Sequence, residues 1–219
     1  MRHLRFRRAA AILLAGTGLA ALSPVLQPVL APAGLAPVRA AAAQGADATS
    51  FVRSLGDRLV SVVNSDSSTA EKKTQIQPLI DQNVDVDGIG RFCLGRFWRT
   101  ATPAQQQRYL ALFHKVLVNS ITGKLGEYRG VTFQVGQAHD QDGKTMVPTV
   151  INRPNQPSAT VEWVVGDVAG GRRITDVVAE GVSLSLTQRS DYASFLQRHG
   201  NNVDTLLNAL DRQVSRQAT

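Results

Sequence analysis

At 219 residues, with 43% hydrophobic content and a formal net charge of +7, the chain can bury one sizeable core. The charge is lopsided. Arg2, Arg5, Arg7, Arg8 and Arg39 precede residue 44 with no acid among them; taking those five from 24 leaves 19 basic against 17 acidic residues, a net +2. That near-neutral remainder gives no argument for nucleic acid, which would want a clustered basic face, and a lone cysteine, Cys93, excludes an internal disulfide.

The opening MRHLRFRRAAAILLAGTGLAAL pairs a basic stretch with an apolar run, Ala9 to Leu22, too short to span a bilayer. Ala41-Ala42-Ala43 then offers a small-x-small cleavage pattern. Residues 1–43 are therefore expected to be an export signal and 44–219 a single mature domain. The Arg7-Arg8 pair matches a twin-arginine motif poorly and leaves the export route open.

Ala40 to Thr49 is Ala-rich and reads as a flexible start, with Ser50 capping a helix that carries Phe51, Leu55, Leu59 and Val62 on one face. Ser68-Thr-Ala-Glu71 is a capping-box pattern opening a helix that buries Ile76, Leu79 and Ile80, with Pro78 marking a kink or early end. Asp85 or Asp87 caps a short helix bearing Ile89, Phe92 and Cys93. Thr102-Pro103-Ala104-Gln105 is the firmest local signal: a cap, a proline at the first helical position and a glutamine at the third. The helix it opens keeps Tyr109, Leu112, Phe113, Val116, Leu117, Ile121 and Leu125 on one side and is expected to be the major cover for a sheet.

Strands follow. Val131, Phe133 and Val135 alternate with polar residues, and His139 to Gly143 reads as a turn. Met146 to Ile151 is a second strand, Ser158 to Val165 a third, Arg173 to Ala179 a fourth, and Val182 to Leu186 a fifth. Ser190 then caps a helix to Arg198, and a last helix gathers Val203, Leu206, Leu207, Leu210 and Val214. Helices, then a meander, then helices make an α+β domain: an antiparallel or mixed sheet of four to five strands packed against helices from both ends of the chain.

Chemistry is sparse. His114, His139 and His199 show no metal-ligand spacing, no nucleophile elbow or phosphate loop is present, and no cofactor or metal is expected. Asp85-Val-Asp87-Gly88 has a faint calcium-loop look, but Arg96 stands where a bidentate Glu would be needed. Asp176, with apolar Ile174 and Val178 expected on its own face, is the one candidate for a buried base; an outward or hydrogen-bonded carboxylate is the plainer reading. Phe133, Val161, Trp163 and Val182 would line either a lipid cavity or an ordinary core.

At Leu94-Gly95-Arg96-Phe97-Trp98-Arg99-Thr100-Ala101-Thr102-Pro103-Ala104-Gln105-Gln106 the sequence resembles the MlaC family of periplasmic phospholipid carriers, also called the toluene-tolerance auxiliary family. Glu127-Tyr128-Arg129-Gly130, Lys144-Thr145-Met146-Val147-Pro148 and Ala179-Glu180-Gly181-Val182-Ser183-Leu184 follow in the family's order, so the resemblance spans about residues 50–216. It implies an NTF2-like or cystatin-like fold holding acyl chains between sheet and helices, and no enzyme. It also implies a periplasmic location and exchange of phospholipid between an outer-membrane lipoprotein–porin complex and an inner-membrane ABC transporter. Arg91 to Arg99 resembles the family's HpnM subgroup, which makes hopanoid the alternative cargo. The residues expected to face the lipid are Val147, Ile151, Val161, Trp163, Val178, Val182 and Leu184. The rival of another class is a cavity enzyme of the same fold with Asp176 as base.

Processing is directly measurable. Protein recovered from the periplasm should begin near Gln44 by intact mass, and retention of Arg2 to Arg8 would refute the export reading.

Overall fold

The computed structural model describes residues 36–123 and 125–217, so the basic stretch and apolar run of the expected export signal lie outside the described residues. Five helices come first: α1 (Ala36–Asn64), α2 (Thr69–Asn83), α3 (Val86–Leu94), α4 (Arg96–Thr100) and α5 (Pro103–Thr122), followed by a 3₁₀ turn at Leu125–Tyr128. The strands are β1 (Thr132–Val135), β2 (His139–Gln141), β3 (Lys144–Asn152), β4 (Ala159–Val168), β5 (Gly171–Ala179) and β6 (Val182–Ser183). Helices α6 (Leu184–Arg198) and α7 (Val203–Gln217) complete the described chain.

The sheet is antiparallel, in the order β1-β3-β4-β5-β6, with β2 also pairing with β3. It has six strands where four or five were expected, and the extra one is β2, which sits in the stretch read as a turn. The turn proper is only Asp142-Gly143, both at positive φ (51° and 72°). That two-residue geometry matches the twist of the flanking strands, so His139–Gln141 can pair at once with Lys144–Met146. Ala169-Gly170 and Glu180-Gly181 make turns of the same kind and set the β4–β5 and β5–β6 registers.

Another expectation fails for an identifiable reason. The Ala-rich stretch before Ser50 is not a loose start but part of α1, with Ala48 fully buried; Ser50 sits mid-helix rather than at a cap. Alanine has the strongest helix propensity, and burial of Ala48, Val52 and Leu55 against the sheet rewards the extra turns. Pro78 does not end α2, which continues to Asn83, though the capping box at Ser68 and Glu71 forms as read. Asp85, not Asp87, caps α3 by accepting from the Gly88 N–H. The Thr102 and Gln105 capping box also forms.

Two apolar cores result. One lies among α2, α3, α5, α6 and α7, around Tyr109, Phe113, Tyr192, Leu196 and Leu206. Tyr109 stacks edge-on to Tyr192 with ring centroids 6.2 Å apart and donates its hydroxyl to the Gly90 carbonyl at 2.9 Å. The second core joins α1 and α2 to the sheet through Ala48, Val52, Leu55, Leu79, Val147, Val165 and Ile174. Leu59 and Val84 touch both cores. The long α5 helix therefore mainly covers other helices, and α1 does the sheet-covering expected of α5.

The tightest approach of α1 to the sheet is at Gly56, where a Cβ would lie 2.1 Å from the Phe133 ring. Gly56→Ala should consequently destabilise the protein by about 1–3 kcal/mol in urea unfolding, because overpacking outweighs alanine's helix preference. A variant more stable than the parent would show that α1 and β1 are not so closely packed.

Candidate functional site

Cross-strand partners in an antiparallel sheet share a face, so the register defines two surfaces. Phe133 pairs with Ile151, Val135 with Thr149, Thr149 with Val161, Val147 with Trp163, Trp163 with Val177, Val161 with Ala179, and Ala179 with Val182. These residues make one continuous apolar face across five strands. Beneath α1 it is closed: Val147 is 0% exposed and packs with Val52 and Leu55. Toward β5 and β6 it opens, through half-buried Val161, Trp163, Val177 and Ala179 to Val182, 40% exposed.

The polar groups within this face are satisfied locally. Trp163 donates its indole N–H to Thr149 Oγ1 at 3.0 Å, and the Thr149 hydroxyl donates to the Val161 carbonyl at 3.0 Å. Thr149 can therefore be 1% exposed without an unpaired oxygen, and the wall it belongs to stays effectively apolar.

Of the residues expected to face a ligand, Val147, Ile151, Val161, Trp163 and Val182 share this face, and Ile151 also touches the helical core. Val178 does not. It pairs with Glu162, which pairs with Pro148 and lies 3.6 Å from His139, and so belongs to the opposite face. Val177 takes its place. A β-bulge between Val164 and Val165 sets Asp176 against Val164 but Ile174 against Val165, which breaks the period of two. Because residues 177 and 178 are both valine, the sequence held no sign of the phase change.

Leu184 is not in a strand. The fifth strand stops at Ser183, whose Oγ accepts from the Leu186 N–H at 3.1 Å and caps α6. Leu184 opens that helix, 44% exposed, and Ser190 lies within it. Ser183 lacks a Glu or Gln three residues on, so the alternation Val-Ser-Leu-Ser-Leu looked like a strand.

The same junction accounts for Asp176. Its Oδ1 accepts from the N–H groups of Val177 (2.8 Å) and Ser185 (3.1 Å), and its Oδ2 accepts the Ser183 hydroxyl at 2.6 Å. Ile174 is not on its face, contrary to the even alternation first assumed. The carboxylate ties the β5–β6 hairpin to the first turn of α6 rather than facing a chamber as a base. Behind it Cys93, 1% exposed, points its Sγ at the Ser185 carbonyl, 3.6 Å away. Burial first, and the charge of Asp176 second, push that thiol up to about 12, which keeps it inert near neutral pH.

Two clefts open elsewhere on the surface. One of about 510 Å³ lies between α1 and α2, lined by Asp57, Arg58, Ser61, Val62, Gln75 and Leu79. The other, about 450 Å³, lies along α3 and α5 beside His114 and Asp87. Neither includes a residue of the apolar sheet face. Among the described residues no group of three or more His, Cys, Asp or Glu side chains is placed to hold a metal ion.

Comparison with known proteins places the chain beside a family, a curated relative and a solved structure. The family described as MlaC protein matches residues 53–212. A curated relative, toluene tolerance protein Ttg2D of Pseudomonas putida, is 27% identical over 135 residues, covering 61% of this chain and 63% of the relative. The chain thus aligns with less than two thirds of that relative's length. Among solved structures, the phospholipid-binding protein of Ralstonia solanacearum in complex with a phospholipid has a similar fold, with TM-score 0.68 and 23% identity over 78% of this chain and 99% of that one.

Replacing Asp176 by Asn keeps the oxygen that accepts the Val177 and Ser185 N–H groups but turns an amide toward the Ser183 hydroxyl, which already accepts from the Leu186 N–H. The variant should lose about 1–3 kcal/mol of stability in urea unfolding. Unchanged stability would show that the carboxylate does not hold the junction.

Proposed function

We infer function from one premise: the chain belongs to the MlaC family. We propose that it is a periplasmic carrier that buries the acyl chains of a phospholipid against the apolar sheet face and moves it between membrane-bound transport complexes. The observation that carries this reading is the face itself, apolar across five strands, covered by α1 at one end and half-buried toward Val182 at the other. Acyl chains would lie along Ile151, Val161, Trp163 and Val177, in the seam between the two cores. What supports phospholipid as the cargo is the Ralstonia protein of similar fold, which was solved holding one.

The physical terms suit a shuttle. Each buried CH₂ contributes about 0.8 kcal/mol relative to water, so two acyl chains are held strongly against escape into the aqueous phase. A bilayer offers the same chains an equally apolar home. Transfer is then close to balanced, and direction is set by an inner-membrane ABC transporter at one end and an outer-membrane lipoprotein complex at the other. No step needs a nucleophile or a base, and Asp176 is engaged in holding α6.

Organic-solvent extraction of the purified protein followed by mass spectrometry should release phospholipid near one molecule per chain. A polycyclic hopanoid would keep the carrier and change its cargo; a lipid-free protein would contradict both. Val161→Glu sets an unpaired charge on the proposed wall and should abolish co-purifying lipid, with thermal melting showing that the fold survives. A folded Val161→Glu protein still carrying its lipid would place the acyl chains elsewhere.

A further inference from the structure

The corner joining α3 to α4 collects arginines on aromatic rings. The Arg91 guanidinium lies 5.5 Å from the Trp98 ring centroid, Arg96 4.9 Å from Phe97, and Arg189, reaching over from α6, 4.8 Å from Phe92. Gly95 makes the corner possible: its φ is +61°, and a Cβ there would meet the Arg189 Nε at 3.2 Å. Arg91 also has Asp87 at 3.9 Å, but among the described residues no acid pairs with Arg96, Arg99 or Arg189. The Phe97 ring is buried, but those of Trp98 and Phe92 are reached by solvent. Phe92 is 39% exposed, and Leu186, one turn before Arg189 on α6, is 58% exposed.

A guanidinium stacked on a ring keeps its planar N–H fork free for an oxyanion, and stacking fixes its orientation in advance. Unpaired cations surrounding exposed Phe and Leu fit a surface that is anionic on the outside and apolar just beneath. We propose that this α3–α4–α6 corner docks the protein on an anionic phospholipid bilayer, with Arg96, Arg99 and Arg189 on lipid phosphates and Phe92 and Leu186 at the acyl boundary. This rests on the carrier reading above and adds where the carrier meets its membrane. Leu186 shares α6 with Leu184, which directly follows the β5–β6 hairpin, so the corner adjoins the exposed end of the apolar face.

The experiment is co-sedimentation with sucrose-loaded vesicles, either phosphatidylcholine alone or phosphatidylcholine mixed with phosphatidylglycerol, using preparations with the same N-terminus. The wild type should prefer the phosphatidylglycerol vesicles, and added salt should weaken the binding. Each arginine at an anionic surface is worth roughly fivefold in partitioning, so Arg96→Gln/Arg189→Gln should lose roughly 25-fold. Arg212→Gln/Arg216→Gln, a charge-matched pair on exposed positions of α7, should bind as the wild type does. Leu186→Ser should weaken binding without disturbing the core, and it carries the test with Arg96→Gln should the Arg189 change lower the melting temperature. Equal losses in both arginine pairs would overturn the proposal, as would no preference for phosphatidylglycerol; the second result would point to an acidic protein surface instead. Lipid extracted from the same preparations separates the two readings. A corner variant that keeps its lipid but loses the vesicles supports docking, whereas a lipid-free wild type contradicts the carrier reading whatever the vesicles show.

Discussion

An antiparallel sheet with one apolar face must keep that face from water, and most of this molecule follows from how it does so. The covering helix is α1, and its approach depends on a missing side chain: Gly56 leaves room for the Phe133 ring. With α1 seated there, Val52 and Leu55 close over Val147, and the deeper end of the face becomes ordinary core. The remaining helices form a core of their own around Tyr109 and Tyr192, joined to the first through Leu59 and Val84. The seat proposed for the acyl chains is the line where these two cores meet along the half-covered sheet.

The other end of the face is governed by one carboxylate. Asp176 receives the Ser183 hydroxyl and the Ser185 amide, which turns the chain from β6 into α6 within two residues. Hydrogen bonds to a charged acceptor are stronger than neutral ones, so this junction is stiff where the apolar surface is most exposed. It fixes Val182 on the face and sends Leu184 and Leu186 outward. It also brings Arg189 back over Gly95 and Phe92, placing the basic corner beside the open end. In the reading proposed above, one polar junction thereby sets both the mouth of the lipid seat and the surface that meets the membrane.

Much of this was legible in the sequence. The capping boxes at Ser68 and Thr102, the α+β order and the alternation of Val161 with Trp163 all depend on neighbours a few residues apart, which a sequence displays directly. Where the reading went wrong, the deciding partner was distant or the local pattern was degenerate. Nothing near Ser50 says that Ala48 will be buried under the sheet, and nothing near Val177-Val178 marks the bulge that exchanges their faces. Ser183 could end a strand or start a helix, and a carboxylate seven residues back makes it start one. The family resemblance supplied what periodicity could not, a reason to propose that the apolar face serves a lipid.

The most direct test is to load the protein with a phospholipid carrying a photoreactive group in its acyl chain and map the cross-linked residues by mass spectrometry. The account predicts adducts on Ile151, Val161, Trp163, Val177 and Val182. Adducts confined to Glu162 and Val178 on the opposite face, or to the α3–α5 cleft around His114, would contradict it.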